Sequence, residues 1–222
     1  MADLALIIPM LGRPHRVEPL VESIRHGTAV DHTIVFVCTE GDDEVIHAVQ
    51  SQEDVQMYVI PPNERGDYAK KINLGYAVTT EPHLFLGADD LNFVRGWYEA
   101  ARKHLLRDRI GVVGTQDKAN HRVRRGLHAT HSLVARSYVE EFGTIDEPGK
   151  VLHEGYLHEF VDDEFVQTAK VRRAFAFEHR SVVEHLHPTV GKADWDDTYQ
   201  AQAVRMKTDR KLFIQRQKLW TT

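Results

Sequence analysis

Between Leu4 and Asp90, short apolar runs alternate with segments of helical spacing, and this alternation constrains the fold more than any other feature. Leu4 to Ile8 is uniformly apolar and closed by Pro9, followed by a Gly12-Arg13-Pro14 loop. Val17, Leu20, Val21 and Ile24 then recur at the spacing of one helix face. His32 to Val37 forms a second run, Asp42 to Val49 a short helix, and Val55 to Ile60 a third run stopped by Pro61-Pro62. Ala69, Ile72, Tyr76 and Ala77 mark another helix, and a fourth apolar run ends at Asp89. Runs without polar alternation are strands covered on both faces, as in parallel sheets. Three strand–helix repeats predict an α/β fold with a doubly wound, mostly parallel central sheet. Right-handed crossovers would gather the loops that follow the strands along one edge.

The second half is less regular. It predicts a helix over Trp97–Leu106, strands at Ile110–Val113 and Ser132–Val134, and short helices at Tyr138–Phe142 and Phe160–Ala169. His121 to Arg125 reads as a basic loop or edge strand, and Ala174–Phe177 and Val182–Glu184 as two short strands. Asp194 to Trp220 reads as one long polar helix, or two, with Val204, Leu212 and Leu219 buried. A chain of 222 residues suits one domain with a sizeable core. The expected division is residues 1–190 as the α/β domain and 191–222 as a helical extension packed on it.

A formal net charge of −5 argues against nucleic acid or an anionic membrane as partner. The single cysteine, Cys38, excludes an internal disulfide and fits a reducing compartment. No apolar stretch is long enough to span a bilayer, and Met1-Ala2-Asp3 lacks signal-peptide character, so the expected location is the cytoplasm.

The fourth run, Leu84-Phe85-Leu86-Gly87-Ala88, ends in the adjacent carboxylates of Asp89 and Asp90. Ligands of open α/β sheets sit beyond the carboxyl ends of the strands. Two carboxylates there repel each other unless a cation lies between them, although an Asp-Asp pair also serves as a turn or helix cap. Mg²⁺ and Mn²⁺ take oxygen ligands from one or two carboxylates, phosphates and water.

The ordered set of segments resembles the GT-A glycosyltransferases, especially the large, mostly inverting family that uses nucleotide-activated sugars. Ile7-Ile8-Pro9-Met10-Leu11-Gly12-Arg13-Pro14 is similar to the family's first strand and arginine loop. Asn63-Glu64-Arg65-Gly66, Ala69 and Ile72-Asn73-Leu74-Gly75 resemble the segment before its metal strand. Phe85-Leu86-Gly87-Ala88-Asp89-Asp90 resembles its metal motif, with Gly87 where the first aspartate usually stands. The acidic pair that usually closes the second strand is replaced by Cys38-Thr39, with Glu40 and Asp42 just beyond. The likeness runs from about Leu4 to about Pro188. Size and composition are similar to glycosyltransferases encoded by bacteriophages of actinobacteria, which would place the protein in a host cytoplasm.

The resemblance implies a nucleoside-diphosphate sugar as donor, a UDP-sugar by preference, and a hydroxyl on a protein or glycan as acceptor. It implies Mn²⁺ or Mg²⁺ held by Asp89, Asp90 and a late histidine, His187 with His185 in reserve. Two residues apart in a strand, those histidines would share a face. It places the donor on Pro9, Arg13, Glu40, Arg65, Gly66, Lys71, Asn73, Ala88 and Asp89. The diphosphate could draw its cation from Arg13, Arg65, Lys70 or Lys71, although lysines on a helix surface are commonly just solvated. Arg122 to Arg125 could cover donor phosphates, contact an acidic acceptor, or blunt a sheet edge.

In Phe160-Val161-Asp162-Asp163-Glu164-Phe165 the acidic residues suit a helix N-terminus on their own. Aligned with the family, Asp162 takes the place of the base, with Asp163 as the other candidate. Trp97, Tyr156 and Trp195 could stack on sugar rings or simply pack. Two other readings compete: a sugar-nucleotide pyrophosphorylase, whose Gly-rich loop is thin here, and a non-catalytic sugar-nucleotide or carbohydrate-binding accessory protein. On the C-terminal helix, Leu212, Phe213 and Trp220 would mediate a homodimer or pack on the domain.

Overall fold

A fully apolar strand must be covered twice, and the first strand shows how the chain does it. The computed structural model describes residues 2–196 and 202–221. Strand β1 (Leu4–Pro9) is buried throughout. Because side chains alternate across a strand, Leu4, Leu6 and Ile8 face one core while Ala5 and Ile7 face the other. The first core adds Leu20, Ile24, Phe36, Phe85 and Trp97; the second adds Ile72, Leu84, Val134, Tyr156, Phe165 and Val166. Each such aliphatic side chain contributes about 1.5–3 kcal/mol on burial, which fixes register wherever both faces are covered.

The N-terminal half follows the expected order. It comprises β1, α1 (Val17–Gly27), β2 (His32–Thr39), α2 (Asp43–Gln50), β3 (Val55–Ile60), α3 (Asp67–Ala77) and β4 (His83–Leu86). Then come β5 (Leu91–Phe93), α4 (Trp97–Leu105), β6 (Val112–Gln116), α5 (His121–Arg124), β7 (Ser132–Ala135) and α6 (Arg136–Glu141). The chain closes with α7 (Val161–Val171), β8 (Phe175–His185) and α8 (Gln202–Arg216). The strands lie in the order β3-β2-β1-β4-β7-β6-β8-β5. The first four are parallel, β7 runs antiparallel between β4 and β6, and β5 runs antiparallel to β8. The sheet is therefore mostly parallel. Among the described residues, no helix is long and apolar enough to cross a membrane.

Three local expectations are corrected. His121–Arg124 is helical rather than a loop or edge strand, because the Asn120 side chain caps it by accepting the Arg122 N–H at 2.9 Å. The two short strands expected after residue 173 are one strand, β8; its register on β6 slips between Thr115 and Gln116, which hides its continuity in the apolar pattern. Strand β4 stops at Leu86, short of Asp89, although the Gly87 N–H still bonds the Ile7 carbonyl at 2.9 Å.

The C-terminal helix docks through buried charge as well as apolar contact. Val204 and Leu219, expected to be buried, are 75 % and 41 % exposed, whereas Asp209 and Arg216 are buried. Asp209 accepts the backbone N–H groups of Leu157, His158 and Glu159 at 2.8–2.9 Å. Arg216 bonds Glu164 and Asp146. Removing one partner of such a buried pair strands the other charge and costs about 3–5 kcal/mol, so the helix is held firmly. Phe213 stacks on Phe160 at 5.2 Å, and the Trp220 indole donates to Thr168 at 3.0 Å. Leu212 and Phe213 pack on the second core. The residues that could have formed a dimer surface thus engage their own domain. Residues 197–201, part of the expected Asp194–Trp220 helix, lie outside the described residues.

Candidate active site

Strand register brings the acidic turn and the late histidine together. Asp89 and Asp90 occupy the turn between β4 and β5, and β5 pairs with β8 so that Leu91 lies opposite His185. The Leu186 N–H donates to the Asp90 carbonyl at 2.8 Å, and His185 Nε2 lies 3.0 Å from Asp90 Oδ2. His187 falls two residues past β8, where its Nδ1 lies 2.8 Å from Thr189 Oγ1. Its ring meets that of His185 edge-on at 5.1 Å. Gly87 has a packing reason: a Cβ there would stand 2.5 Å from Ile8 Cδ1 and 3.0 Å from the Ile7 carbonyl oxygen.

Both carboxylates are buried, and both lean on Arg13. Its Nη1 donates to Asp89 Oδ1 at 2.8 Å and lies 3.7 Å from Asp90 Oδ2. Its Nε and Nη2 bond Asp196. Burial pushes the Asp89 carboxyl up to about 7, Asp90 adds to the rise, and Arg13 opposes it. Burial works against a charged His185, but Asp90 outweighs it and holds the imidazole above its usual range. Burial and then His185 hold His187 below that range, which favours a neutral ring. The site therefore gathers the carboxylates of Asp89, Asp90 and Asp196 around Arg13, with His185 against Asp90. Carboxylate oxygens beside imidazole nitrogens suit a divalent cation such as Mn²⁺. The donor set fits the metal that the motif implies.

These groups line a cleft of about 350 Å³ together with Pro9, Ala88, Tyr68, His131, His158 and Asp162. Asp162 stands in the first turn of α7, where acidic side chains complement the helix dipole. His128 Nε2 lies 3.0 Å from Asp162 Oδ2, and Arg122 Nη1 donates to Asp163 Oδ1 at 2.9 Å. Burial pushes the Asp162 carboxyl up, but His128 outweighs it and holds the group below the usual carboxylate range. Burial and then Asp162 hold Asp163 above it. Ligand atoms of His128, Asp162 and Asp163 lie within 4.8 Å of one another, close enough for a cation, but Arg122 already supplies positive charge there.

Several residues expected at the donor are placed elsewhere. Asn73 spends its amide on Leu152, Glu154 and Val151, all within 3.0 Å. Gly66, at φ +72°, lets the backbone of Glu154 come where a Cβ would collide, and its N–H bonds the Tyr156 carbonyl at 2.7 Å. Arg65 donates to the Gly155 carbonyl at 2.6 Å. These three brace the loop leading into α7 instead of lining the cleft. Glu40 is exposed at the end of β2, outside the lining, and so is Asp163 behind Asp162. Lys71 does line the cleft, but it is fully buried. Its ammonium is spent on the Met10 carbonyl, Thr39 and Asp67, each at 2.7 Å, so it offers no donor to a diphosphate. Trp97 and Tyr156 are core residues, whereas Trp195 is 56 % exposed and meets His187 edge-on at 6.3 Å.

The sequence reading missed His128, His131, His158 and Tyr68. Nδ1 of His131 bonds the Leu86 carbonyl at 3.1 Å, and burial followed by His185 pushes its pKa down to about 4. The Tyr68 hydroxyl donates to the Gly87 carbonyl at 3.2 Å, tying α3 to the acidic turn. No spacing rule links such residues, because each partner comes from a different element.

No protein-family model matches this sequence, and no curated protein matches it. Solved structures match it in fold. The mannosyltransferase PcManGT from Pyrobaculum calidifontis, in complex with GDP-Man and Mn²⁺, superposes with a TM-score of 0.64 at 16 % identity over 92 % of this chain. This chain spans 61 % of that protein. Glucosyl-3-phosphoglycerate synthase from Mycobacterium tuberculosis, in complex with Mn²⁺, UDP-Glc and phosphoglyceric acid, gives 0.56 at 14 % identity, covering 84 % of this chain and 72 % of that one. Residues 1–349 of S. aureus TarS give 0.61 at 10 % identity over 90 % of this chain and 68 % of that one. The architecture is the GT-A fold of these structures.

Proposed function

We propose that this protein is a metal-dependent glycosyltransferase moving a sugar from a nucleoside diphosphate to a hydroxyl acceptor on a protein or glycan, with inversion. One observation carries the reading: in a GT-A fold, the Asp89-Asp90 turn with His185 and the carboxylate of Asp162 line one cleft. The neighbours solved with GDP-Man or UDP-Glc and Mn²⁺ support the same donor class. UDP-sugars are the first donors to test.

In this account Asp89, Asp90, His185 and His187 hold Mn²⁺ or Mg²⁺. Bound there, the ion would neutralise the charge that develops on the departing diphosphate. Arg13 fixes positive charge at the same wall, its guanidinium held between Asp89 and Asp196. Asp162 accepts the proton of the acceptor hydroxyl while its oxygen attacks the anomeric carbon. The bond from that carbon to the phosphate oxygen breaks, and the nucleoside diphosphate leaves with the electron pair. A carboxylate held below its usual range remains ionised at neutral pH, as a base must be.

The test is incubation with UDP-Glc, other UDP-sugars and GDP-Man in the presence of Mn²⁺. Slow release of nucleoside diphosphate that EDTA stops is the expected result. Release of pyrophosphate would point instead to a pyrophosphorylase. Binding without turnover of any donor would point to an accessory protein.

A further inference from the structure

His128 lies behind Asp162, outside the cleft lining, and is 2 % exposed. Its Nε2 is 3.0 Å from Asp162 Oδ2, and its Nδ1 is 3.8 Å from Asp163 Oδ1. Asp163 takes a 2.9 Å bond from Arg122 on α5. Asp162 Oδ1 accepts the Asp163 N–H at 2.9 Å. Arg122, Asp163, His128 and Asp162 thus form a row of alternating charge that ends in the cleft. A carboxylate accepts, so the shared proton of the short contact belongs to His128 Nε2.

We infer that His128 is a positioning residue for the transfer reaction: its Nε2–H fixes the orientation of the Asp162 carboxylate. The inference rests on Asp162 being the base. With one oxygen bonded to His128 and the other to a backbone N–H, rotation of the carboxylate is blocked, while each oxygen keeps a lone pair for the acceptor hydroxyl. Burial works against a charged His128, but Asp162 and then Asp163 outweigh it, with Arg122 opposing. The ring therefore stays protonated above its usual range. His128 passes no proton on; the proton from the acceptor ends on Asp162. The remaining groups around Asp162 are His131, which also favours its ionised form, and Tyr68 and His158, both of which feel its charge.

Asp162 must be ionised to act, and His128 lowers its pKa, so removing His128 raises it. His128→Asn should move the acid limb of the kcat/KM profile to higher pH by about one unit. It should lower kcat by about 10–100-fold with the donor KM unchanged. His128→Gln, whose amide can still donate to Asp162, should recover much of kcat but leave the limb displaced. A lower melting temperature with an unmoved acid limb would mean a merely structural role and would overturn the inference.

A second measurement does not depend on those variants folding. Imidazole NMR should show the His128 pKa falling by about one unit in Asp162→Asn; an unmoved titration overturns the inference. Asp162→Asn that keeps full transfer would sink the base assignment itself. Inactive Asp162→Asn combined with an unmoved limb in His128→Asn would sink only the role of His128.

Discussion

Asp162→Asn is expected to lower glycosyl transfer by about a thousandfold, within the range measured when a general base is lost. The substitution is close to isosteric. The amide oxygen can still accept from His128, at the cost of the bond from the Asp163 N–H, but the side chain cannot take a proton from the acceptor. Asp162 makes no hydrogen bond to Arg13, Asp89, Asp90 or His185 among the described contacts, so the donor end of the cleft should be unaffected. Steady-state kinetics together with calorimetric titration of UDP-sugar and Mn²⁺ checks this. Transfer collapses while donor affinity stays within a few-fold. A variant within a few-fold of the unmodified enzyme in kcat would remove Asp162 from the reaction.

Asp90→Ala should have the second-largest effect, on the donor side. Asp90 is buried beside Asp89, holds His185 at 3.0 Å and shares Arg13. Its loss removes one oxygen ligand and the partner that orients an imidazole ligand, and loss of an orienting partner alone costs about 10–100-fold in metal affinity. The fold should survive. Strands β5 and β8 are tied to the turn through the Asp90 backbone carbonyl, which the substitution keeps. Deleting one of two crowded carboxylates also relieves a repulsion that raises the Asp89 carboxyl. A ligand that binds only the folded state raises its stability. Unmodified protein should therefore melt higher with Mn²⁺ and UDP, whereas Asp90→Ala should melt at nearly the same temperature with and without them. An equal upward shift in the variant would contradict the role given to Asp90.

The parallel half of the sheet was legible because β1, β2 and β4 are apolar along most of their length, a pattern with few structural solutions. The acidic turn was legible because two carboxylates after such a strand need a reason. His185 was legible only in part: spacing paired it with His187, but the register of β5 on β8 is what brings it to Asp90. Asn73, Gly66 and Arg65 show the opposite case. Their types and positions fit a donor loop, yet their bonds go to residues 151–156, far along the chain. The His128–Asp162 pair spans 34 residues with no periodic signal. On α8 the buried positions are Asp209 and Arg216 while Leu212 and Phe213 are only half-buried, so apolar type alone does not mark how the helix docks, and Val204 is exposed.

The central claim is that the Asp89-Asp90 turn and the late histidines hold a divalent cation against a nucleoside diphosphate. Anomalous scattering from crystals grown with Mn²⁺ and UDP tests it most directly. The expected result is one strong manganese peak within about 2.0–2.3 Å of an Asp89 or Asp90 carboxylate oxygen and a nitrogen of His185 or His187. A peak among His128, Asp162 and Asp163 instead, or none with UDP bound, would contradict it.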